Sequence, residues 1–362
     1  MPYEIDFIGV NEETKDATAV CMRWQKSDGS YLVGVFDGGL KIYGEQLKNH
    51  LNTFYFNSMS DKVIDFVICS HPHQDHAAGL TEILENFTVK NLYMNMPWNH
   101  IDELYKKVNN GNITPASLER RLKETYTYIA DLEKLANKYS IPIINSFEGT
   151  IIANKLIVLS PSKDFYLDLL VESDKTPLEE KESIIAAATR FVKTIINKLK
   201  ESWSDEKLKE DVSTEPDNET STIVLGEMNE ESFLLTGDVG IRGLQKAIDY
   251  SSSIGKNIKD NVKIYEIPHH GGRHNVSPSI LNQLIGNIVE EGVETDKKSF
   301  VCSGKNSDHP LQMVVNAFTR RGSKVYKASG STICHHRGDM PVREGWSKVE
   351  STKFNTDVEE WD

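Results

Sequence analysis

Three histidines and one aspartate lie within six positions of each other, in a segment that follows an apolar run ending at Cys69. They are His71, His73, Asp75 and His76. Chance is a weak explanation, because the chain of 362 residues holds only 11 histidines. Imidazole and carboxylate donors together suit zinc, manganese or iron. The cluster therefore predicts a buried strand that ends at a catalytic metal site. Its side chains face two directions, so it can serve two ions.

Four other polar segments also follow apolar strand patterns. They are Asp37-Gly38-Gly39, Thr236-Gly237-Asp238, His269-His270-Gly271-Gly272 and residues 303–310. Each alone is weak evidence, since Asp-Gly-Gly is most often a plain turn and Thr-Gly-Asp can cap a helix. Two adjacent histidines at a strand end rarely pack as core. Together with the metal loop, the four segments predict a larger cluster of donors.

Short apolar runs predict strands, and amphipathic runs predict helices between them. The predicted strands include 3–9, 18–24, 31–36, 63–69, 89–94, 222–225, 232–235, 262–267, 299–302, 324–327 and 332–335. The predicted helices between them are 42–55, 80–86, 241–248, 278–285 and 311–320. Strands that alternate with helices imply a layered α/β architecture.

Two helical stretches, 97–139 and 162–217, interrupt this pattern as insertions within a single domain that spans 1–362. The second insertion carries an apolar helical stripe over 177–203 and a charge-rich connection over 205–218 that we expect to be mobile. It is either a lid over the site or a dimerisation surface. The polar tail from 348 to 362 is expected to fray.

The formal net charge is −13, from 41 Lys and Arg against 54 Asp and Glu. This balance argues against tight, sequence-independent binding to duplex nucleic acid, although bound divalent ions could still recruit a phosphate-bearing substrate. The chain has no apolar stretch of about eighteen residues and no opening typical of a signal peptide. Its four cysteines are far apart. We therefore expect a cytoplasmic protein without a membrane span or a disulfide framework.

The order of the motifs, Asp-Gly-Gly, His-x-His-x-Asp-His, Gly-Asp and His-His-Gly, resembles the metallo-β-lactamase superfamily. This resemblance implies a four-layer αββα sandwich with two divalent ions, zinc or manganese, at one edge between the sheets. More narrowly, residues 234–238, 267–271 and 303–310 are similar to the hydrolase domain of the competence protein ComEC, which is thought to degrade one strand of incoming DNA. ComEC attaches that domain to a membrane channel, so a role in DNA uptake does not carry over.

The resemblance also implies roles for single residues. His71 and His73 would hold one ion, Asp75 and His76 the other, and Asp238 would bridge the two. His269 would be the last ligand of the second ion. Asp37 would orient a ligand histidine. Asp16 matches a stretched form of an opening motif and carries little weight.

One expected ligand is missing. Lactamases and many relatives place a further histidine between the main motif and the bridging aspartate, but this chain has no histidine between His100 and His269. ComEC-like proteins resemble this chain in having an asparagine and a serine near that place, here Asn218 and Ser221. The first metal site is therefore predicted to be short of a ligand, which argues against lactamase or glyoxalase activity.

The remaining polar residues predict a phosphate-binding and acid–base group. His270, Lys305, Asn306 and His309 would contact the phosphate or protonate the leaving oxygen. The preferred general acid is His309, and an equally acceptable interpretation makes it a helix-start residue before Pro310. Arg273 extends a basic rim, and Arg320, Arg321 and 335–337 add a second basic stretch that could line a phosphate groove.

The sequence thus predicts a soluble metal-dependent phosphodiesterase or nuclease that uses a metal-activated hydroxide, with Asp75 essential to catalysis. Single strands, short oligonucleotides or a cyclic nucleotide are the predicted substrates. Two alternatives stay open. One is a hydrolase of a small carboxylic ester or thioester, and the other is a non-enzymatic regulatory module whose helical insertion binds a partner or a second copy of the chain.

Overall fold

A computed structural model of the chain describes residues 1–9, 15–57, 59–108, 114–177, 198–228 and 231–361. The strands in these parts are β1 (Tyr3–Phe7), β2 (Ala19–Gln25), β3 (Tyr31–Gly38), β4 (Val63–Ile64), β5 (Phe66–Ile68), β6 (Thr88–Val89), β7 (Leu92–Tyr93), β8 (Ile143–Ile144), β9 (Ile151–Ile152), β10 (Leu156–Ser160), β11 (Lys198–Lys200), β12 (Ile223–Met228), β13 (Glu231–Leu235), β14 (Val262–Glu266), β15 (Lys298–Cys302), β16 (Lys324–Ala328), β17 (Ile333–Arg337) and β18 (Asp357–Glu359).

The helices of the described residues are α1 (Lys41–His50), α2 (Gln74–Ala77), α3 (Leu80–Asn86), α4 (Ile101–Val108), α5 (Pro115–Thr125), α6 (Thr127–Lys138), α7 (Lys163–Glu172), α8 (Pro216–Glu219), α9 (Ile241–Ser253), α10 (Ile258–Asn261), α11 (Pro278–Leu284) and α12 (Gln312–Arg320). A π-helical turn at Leu51–Tyr55 extends α1, and 3₁₀ turns cover Pro97–His100 and His269–Gly271. In the parts of the chain that the structure describes, none of these helices is long and apolar enough to cross a bilayer.

The strands form two seven-stranded sheets. The first sheet has the order β17-β1-β2-β3-β5-β7-β8, with parallel pairing from β3 to β8. The second has the order β16-β15-β14-β13-β12-β10-β9, with parallel pairing from β13 to β16. The chain returns to the first sheet with β17, which pairs with β1. The carboxyl ends of the parallel strands are where α/β sheets place their binding sites.

Alternation along the strands distributes apolar side chains among three cores. In β5, Phe66 and Ile68 lie in the core between the sheets, whereas Val67 faces the helices. Phe7 and Phe300 stack across the two sheets with ring centroids 4.6 Å apart. One outer core joins the first sheet to its helices, and another joins the second sheet to α9, α11 and α12. The predicted αββα sandwich is confirmed.

The first helical stretch belongs to the outer layer of the sandwich. Leu118 and Leu122 of α5 and Ile129 and Leu132 of α6 are buried in the core that covers the first sheet. Their spacing of three to four residues is the pattern of a helix with one apolar face. These helices therefore stabilise the wall of the sandwich beside the metal loop.

The second helical stretch is helical at α7 and α8, but it differs from its prediction at 198–203. The predicted helix over 177–203 lies mostly outside the described residues, and its end forms β11, which pairs with β18. The predicted fraying of the tail is wrong over β18 for the same reason. Leu199 packs against the second outer core, and Val358 is buried there. The alternating segment Lys-Leu-Lys therefore buries its apolar side chain as a strand, with both lysines on the other face.

The start of the 205–218 connection, together with the residues just before it, is anchored to the end of α12. Arg320 pairs with Glu201, and Arg321 pairs with Glu206 at 2.8 Å. Arg320 and Arg321 are 0% and 2% exposed, so they are not part of a phosphate groove. That part of the sequence hypothesis is wrong, because a guanidinium with several donors can be fully satisfied by carboxylates and backbone carbonyls in the interior.

Candidate metal centre

The histidine-rich motif occupies the loop after β5 and the short helix α2. His71 and His76 are buried, while His73 and Asp75 are partly exposed. Gly79, which follows α2, approaches β3 so closely that a Cβ atom there would lie 1.9 Å from the carbonyl oxygen of Gly38. Glycine at this position therefore lets the motif pack directly against the strand that ends at Asp37.

Asp37 fixes the orientation of the motif. Its Oδ1 accepts a hydrogen bond from the Ser70 backbone amide at 2.7 Å. Its Oδ2 accepts from Ser70 Oγ at 2.6 Å and lies 2.7 Å from His76 Nδ1. A carboxylate that accepts from one ring nitrogen fixes the tautomer and leaves the other nitrogen for a metal. The Nε2 atom of His76 accordingly lies 3.0 Å from Asp238 Oδ1.

Asp238 enters from the second sheet, in the loop after β13. Its amide donates to Ser221 Oγ at 3.1 Å, and the Asn275 side chain donates to its carbonyl at 2.9 Å. The residue before it, Gly237, has φ of 55°. Glu266 of β14 accepts from the Gly237 amide at 3.0 Å, so this neighbouring strand holds the loop in place. The Asp238 side chain is buried, and neither carboxylate oxygen has a hydrogen-bond partner among the described residues.

The two oxygens of Asp238 separate the histidines into two groups. Oδ1 lies 3.0 Å from His76 Nε2 and 3.9 Å from His270 Nε2. Oδ2 lies 3.5 Å from His269 Nε2 and 3.8 Å from His71 Nε2. A carboxylate between two donor groups can bridge two cations, as two-metal sites require.

The first of these groups is compact, and we call it the Oδ1 group. Ligand atoms of Asp75, His76, Asp238 and His270 all lie within 4.8 Å of one another. His270 Nδ1 lies 3.0 Å from the Cys302 carbonyl, which leaves Nε2 directed at Asp75 Oδ2, 3.5 Å away. The resemblance gave the last place in this group to His269, whereas the ligand atom that lies within this group belongs to His270.

The backbone explains the exchange between the two neighbouring histidines. His269 and His270 have φ of 50° and 55°, in the left-handed region, so their side chains diverge after β14. His269 Nδ1 lies 2.8 Å from Asn275 Oδ1, and its Nε2 faces the other oxygen of Asp238. The two side chains thus face different oxygens of the Asp238 carboxylate. Their roles as metal ligands stay predictions.

The donor set fits divalent cations. The Nε2 atoms of His71, His76 and His270 and both oxygens of Asp238 are buried without a hydrogen-bond partner in the described parts of the chain. Each such atom costs about 1–3 kcal/mol, which a bound cation would offset. Two tetrahedral ligands at about 2.0–2.2 Å from one ion lie roughly 3.3–3.6 Å apart. The separations around Asp238, 3.0–3.9 Å, span this range.

A second buried group, Asp6 with Cys21 and His50, also brings ligand atoms together. Here the carboxylate is already satisfied, because Arg343 donates to both of its oxygens at 2.7 and 2.8 Å and Tyr55 donates at 2.6 Å. A guanidinium with this fork geometry neutralises the charge that an ion would need. The cluster is a structural ion pair on the outer face of the first sheet.

Electrostatics in the metal centre favour positive charge. Burial lowers the pKa of His71 well below its usual value. Burial also opposes protonation of His270, but Asp238, Asp75 and Asp16 outweigh it and raise its pKa to about 9. The carboxyl group of Asp238 has a pKa well below the usual range, since His76, His269 and His270 outweigh its burial. Protons on these histidines compete with metal ions, so metal binding is expected to release protons.

The predicted acid–base residue His309 lies in the loop after β15 and is held by Asp16. His309 Nδ1 lies 2.8 Å from Asp16 Oδ2. Asp16 also accepts from the Gly304 amide at 2.9 Å and from Ser307 Oγ at 2.7 Å. This loop rests on the His269–Gly271 turn, because the Leu311 amide donates to the Gly271 carbonyl at 3.2 Å. Asp16 therefore lies beside the metal centre and holds the His309 loop, and a functional role for it is a prediction.

The remaining predicted residues divide into two sets. Lys305 and Asn306 are exposed in the same loop as His309, where a substrate could reach them. Arg273 lies elsewhere: it donates to the Glu360 carbonyl at 2.6 Å, and its guanidinium lies over the Trp361 ring at 5.0 Å. Arg273 therefore contacts the C-terminal segment, and these contacts give no support to its predicted role in substrate binding.

His73 has two neighbours that the sequence did not indicate. Its Nε2 lies 3.6 Å from Asp217 Oδ2 and 3.2 Å from Lys175 Nζ. Asp217 stands next to Asn218, which the motif comparison did single out. Lys175 carries no sequence signal, because it lies 102 positions from His73 in the chain.

Comparison with known proteins agrees with this description. Residues 35–126, about a quarter of the chain, match the family model of the metallo-beta-lactamase superfamily, and the match contains the histidine-rich motif. No curated protein matches the chain significantly.

Three solved structures are similar to this one. AidC, a dizinc quorum-quenching lactonase, is 12% identical with a TM-score of 0.30 over 67% of this chain and 69% of its own. The metallo-β-lactamase SMB-1 is 9% identical with a TM-score of 0.31 over 78% and 86%. A beta-lactamase domain protein from Burkholderia ambifaria is 11% identical with a TM-score of 0.32 over 72% and 64%. At these values the similarities carry no argument about activity.

The family match covers β3, the motif loop and α2, which are the elements that build half of the metal centre. The sandwich and the buried donor set extend this pattern to the second sheet. Residues 35–126 are thus similar to the metallo-beta-lactamase superfamily, and the structure holds a candidate site for divalent metal ions beside them. Together these observations support a metal-dependent hydrolase.

Proposed function

We propose that this protein is a two-metal phosphodiesterase that acts on single-stranded or short oligonucleotides or on a cyclic nucleotide. The observation that carries the proposal is the Asp16–His309 pair beside the bridged donor groups, since it supplies an acid for a leaving oxygen. The order of motifs similar to ComEC-type hydrolase domains supports the same substrate class. The predicted lid or dimerisation role of 162–217 stays a prediction, because residues 178–197 lie outside the described ones.

Divalent ions held by these residues would activate a water as nucleophile and neutralise charge on the phosphoryl oxygens. Asp238 keeps the two donor groups at a fixed separation, because its backbone is tied to Ser221 and Asn275. Asp37 orients His76 so that Nε2 faces the site. Little covalent chemistry is left for the protein in phosphoryl transfer, so positioning and charge are its main contributions.

His309 would give its proton to the leaving oxygen. In the imidazolium form both ring nitrogens carry protons, so Nδ1 can donate to Asp16 while Nε2 passes its proton to the substrate. Asp16 is suited to this role, since His309, His270 and Ser307 outweigh its burial and lower its pKa to about 2. Asp16 is a positioning residue in this scheme, and Lys305 and Asn306, which are exposed in the same loop as His309, would contact the phosphate.

The test is a substrate panel. Metal-free protein would be incubated with manganese or zinc and with single-stranded, duplex and cyclic phosphodiesters, beside a lactone, a thioester and a β-lactam. We expect cleavage of at least one phosphodiester by the native protein and none by Asp75→Ala. Cleavage of the lactone or thioester without any phosphodiester would replace the proposal with the ester hydrolase alternative.

A further inference from the structure

His269 and Asp238 lie in loops that follow different strands, yet His269 Nε2 is 3.5 Å from Asp238 Oδ2. The His269 side chain is 37% exposed, so packing alone does not hold its ring in this direction. A ring nitrogen binds a metal ion through a free lone pair, so the proton of the neutral ring must lie on Nδ1. The side chain of Asn275 contacts both residues and can meet both needs.

The orientation of the Asn275 amide follows from its neighbours. Its nitrogen lies 2.9 Å from the Asp238 carbonyl oxygen and 3.1 Å from the Val239 carbonyl oxygen. Carbonyl oxygens only accept hydrogen bonds, so the amide nitrogen must face them and the amide oxygen must face away. That oxygen lies 2.8 Å from His269 Nδ1. Because an amide oxygen also only accepts, Nδ1 carries a proton and donates it, which leaves Nε2 of the neutral ring free.

Asn275 is itself held in place from both sides along the chain. The residue is 0% exposed, and the next residue, Val276, is buried in the second outer core. The residue before it, His274, accepts a hydrogen bond at its carbonyl from Thr214 Oγ1 at 2.8 Å. Ser277 then caps the N-terminus of α11 through its side chain. The amide therefore meets His269 from a fixed position.

A structural role explains only part of this arrangement. The two hydrogen bonds to carbonyls would by themselves tie the segment after the His269–Gly271 turn to the loop after β13. They do not require the oxygen of the amide to meet a ring nitrogen. The same relation occurs on the other side of Asp238, where Asp37 Oδ2 lies 2.7 Å from His76 Nδ1. In both cases an acceptor at Nδ1 directs Nε2 at an oxygen of Asp238.

We propose that Asn275 is a positioning residue, which fixes the proton of His269 on Nδ1 and ties this ring to the backbone of Asp238. The inference rests on the metal-dependent hydrolase of the proposed function and is independent of the substrate. The acceptor is a neutral amide here, whereas Asp37 presents a carboxylate to His76. Since hydrogen bonds to charged acceptors are the stronger ones, His269 is the less firmly held of the two rings.

The first measurement determines where the His269 proton lies. Metal-free protein with isotopically labelled histidine would be analysed by nitrogen NMR, and the His269 signals would be assigned by their absence from His269→Asn. The native protein should show a proton on Nδ1. Asn275→Ala should let the ring adopt the form with its proton on Nε2, whereas Asn275→Asp keeps an acceptor and should retain the proton on Nδ1. A neutral native ring with its proton on Nε2 would overturn the inference, whether or not the variants fold.

The second measurement is zinc affinity, determined by calorimetric titration of the metal-free protein. Loss of a hydrogen-bond partner of a ligand typically costs about 10–100-fold in metal affinity, so Asn275→Ala should weaken zinc binding by about this factor. Asn275→Asp should recover most of the loss. Unchanged zinc affinity in folded Asn275→Ala would overturn the inference. If thermal melting shows that Asn275→Ala is unfolded, the ring form and zinc affinity of Asn275→Asp decide the question.

Asn316→Ala is the matched control for loss of a buried asparagine. Asn316 lies on α12 and is also 0% exposed. Its amide donates to the Asn355 carbonyl at 2.7 Å and accepts from the Asn355 amide at 3.0 Å. Asn316→Ala should lose thermal stability, but its His269 ring form and zinc affinity should match those of the native protein. An equal loss of zinc affinity in Asn316→Ala would overturn the inference.

The same proteins separate this inference from the proposed function. The expected ring forms and zinc affinities, found together with no cleavage of any phosphodiester by the native protein, would support the role of Asn275 and sink the proposed substrate class alone. Phosphodiester cleavage by the native protein, found together with unchanged zinc affinity in folded Asn275→Ala, would do the reverse.

Discussion

The two sides of Asp238 differ in how firmly their donors are held. On the Oδ1 side, His76 is fixed by Asp37 and His270 is fixed by the Cys302 carbonyl, and both are buried. On the Oδ2 side, His71 is also buried, but the side chain of His269 is 37% exposed. His73, the neighbouring histidine of the motif, is 24% exposed and has an ammonium group beside it. A rigid group binds its ion with less loss of conformational freedom. The two sites should therefore differ in affinity and in tolerance to substitution.

The strongest way to break this comparison is to remove the residue that both sides share. Asp238→Ala should lose both ions and lower kcat/KM by about 10³-fold or more, because two-metal sites supply several kcal/mol of charge stabilisation. Metal counting and steady-state kinetics on a cleaved phosphodiester would check this. Full retention of either ion would show that the carboxylate does not bridge two ions. Asp249→Ala, at an exposed position of α9, is the control for a carboxylate outside the site.

The next largest effect separates the two neighbouring histidines. His270→Asn should lose the tight ion and lower kcat/KM by about 10²–10³-fold, whereas His269→Asn should weaken only the loosely held ion and lower it by about tenfold. The reason is that His270 belongs to the compact Oδ1 group and His269 faces Oδ2. Calorimetric titration of both variants would measure the difference. The reverse order would restore the assignment that the resemblance implied.

A smaller effect concerns the proton rather than the ions. His309→Gln should lower kcat/KM by about 10²-fold for a substrate with an alkoxide leaving group and far less for one with nitrophenolate, which needs no proton. Asp16→Asn should follow the same pattern more weakly and leave both ions in place. The ratio of kcat/KM between the two substrates is the measurement. Equal losses on both would remove His309 from acid catalysis.

The smallest effect concerns the support beneath Asp238. Burial raises the pKa of Glu266 to about 7, although the Thr236 and Gly237 amides oppose the shift. The folded state then holds a proton that the unfolded state has already lost between pH of about 4.5 and 7. Stability from this group is present at low pH and falls as the pH rises through 7.

Glu266→Gln lacks this titration. Its free energy of unfolding relative to the native protein should therefore rise between pH 5 and pH 8, by at most about 3 kcal/mol, since one pKa unit corresponds to about 1.4 kcal/mol. Chemical denaturation of the metal-free proteins at both pH values would measure it. Parallel pH profiles for the two proteins would show that Glu266 titrates normally.

Several features could be predicted because they depend on short stretches of chain. Apolar runs with period two mark the strands, and polar residues directly after them mark the sheet edge where Asp37, His71 and Asp238 meet. The alternation of strands and helices predicted a layered α/β architecture, the resemblance implied an αββα sandwich, and both are confirmed. The helix end at 198–203 and the part of the tail that forms β18 were predicted wrongly, because β11 and β18 pair across 157 positions or more.

The sequence by itself predicted metal binding, because three histidines and an aspartate directly after a buried strand are typical metal ligands. Only the tertiary structure shows which of these donors lie together. Asp16 meets His309 across 293 positions, and Lys175 meets His73 across 102. His270 rather than His269 enters the Oδ1 group because of left-handed backbone angles that no spacing rule reveals. Contacts between distant segments depend on how two sheets and their helices pack, and that packing is not written in any local pattern.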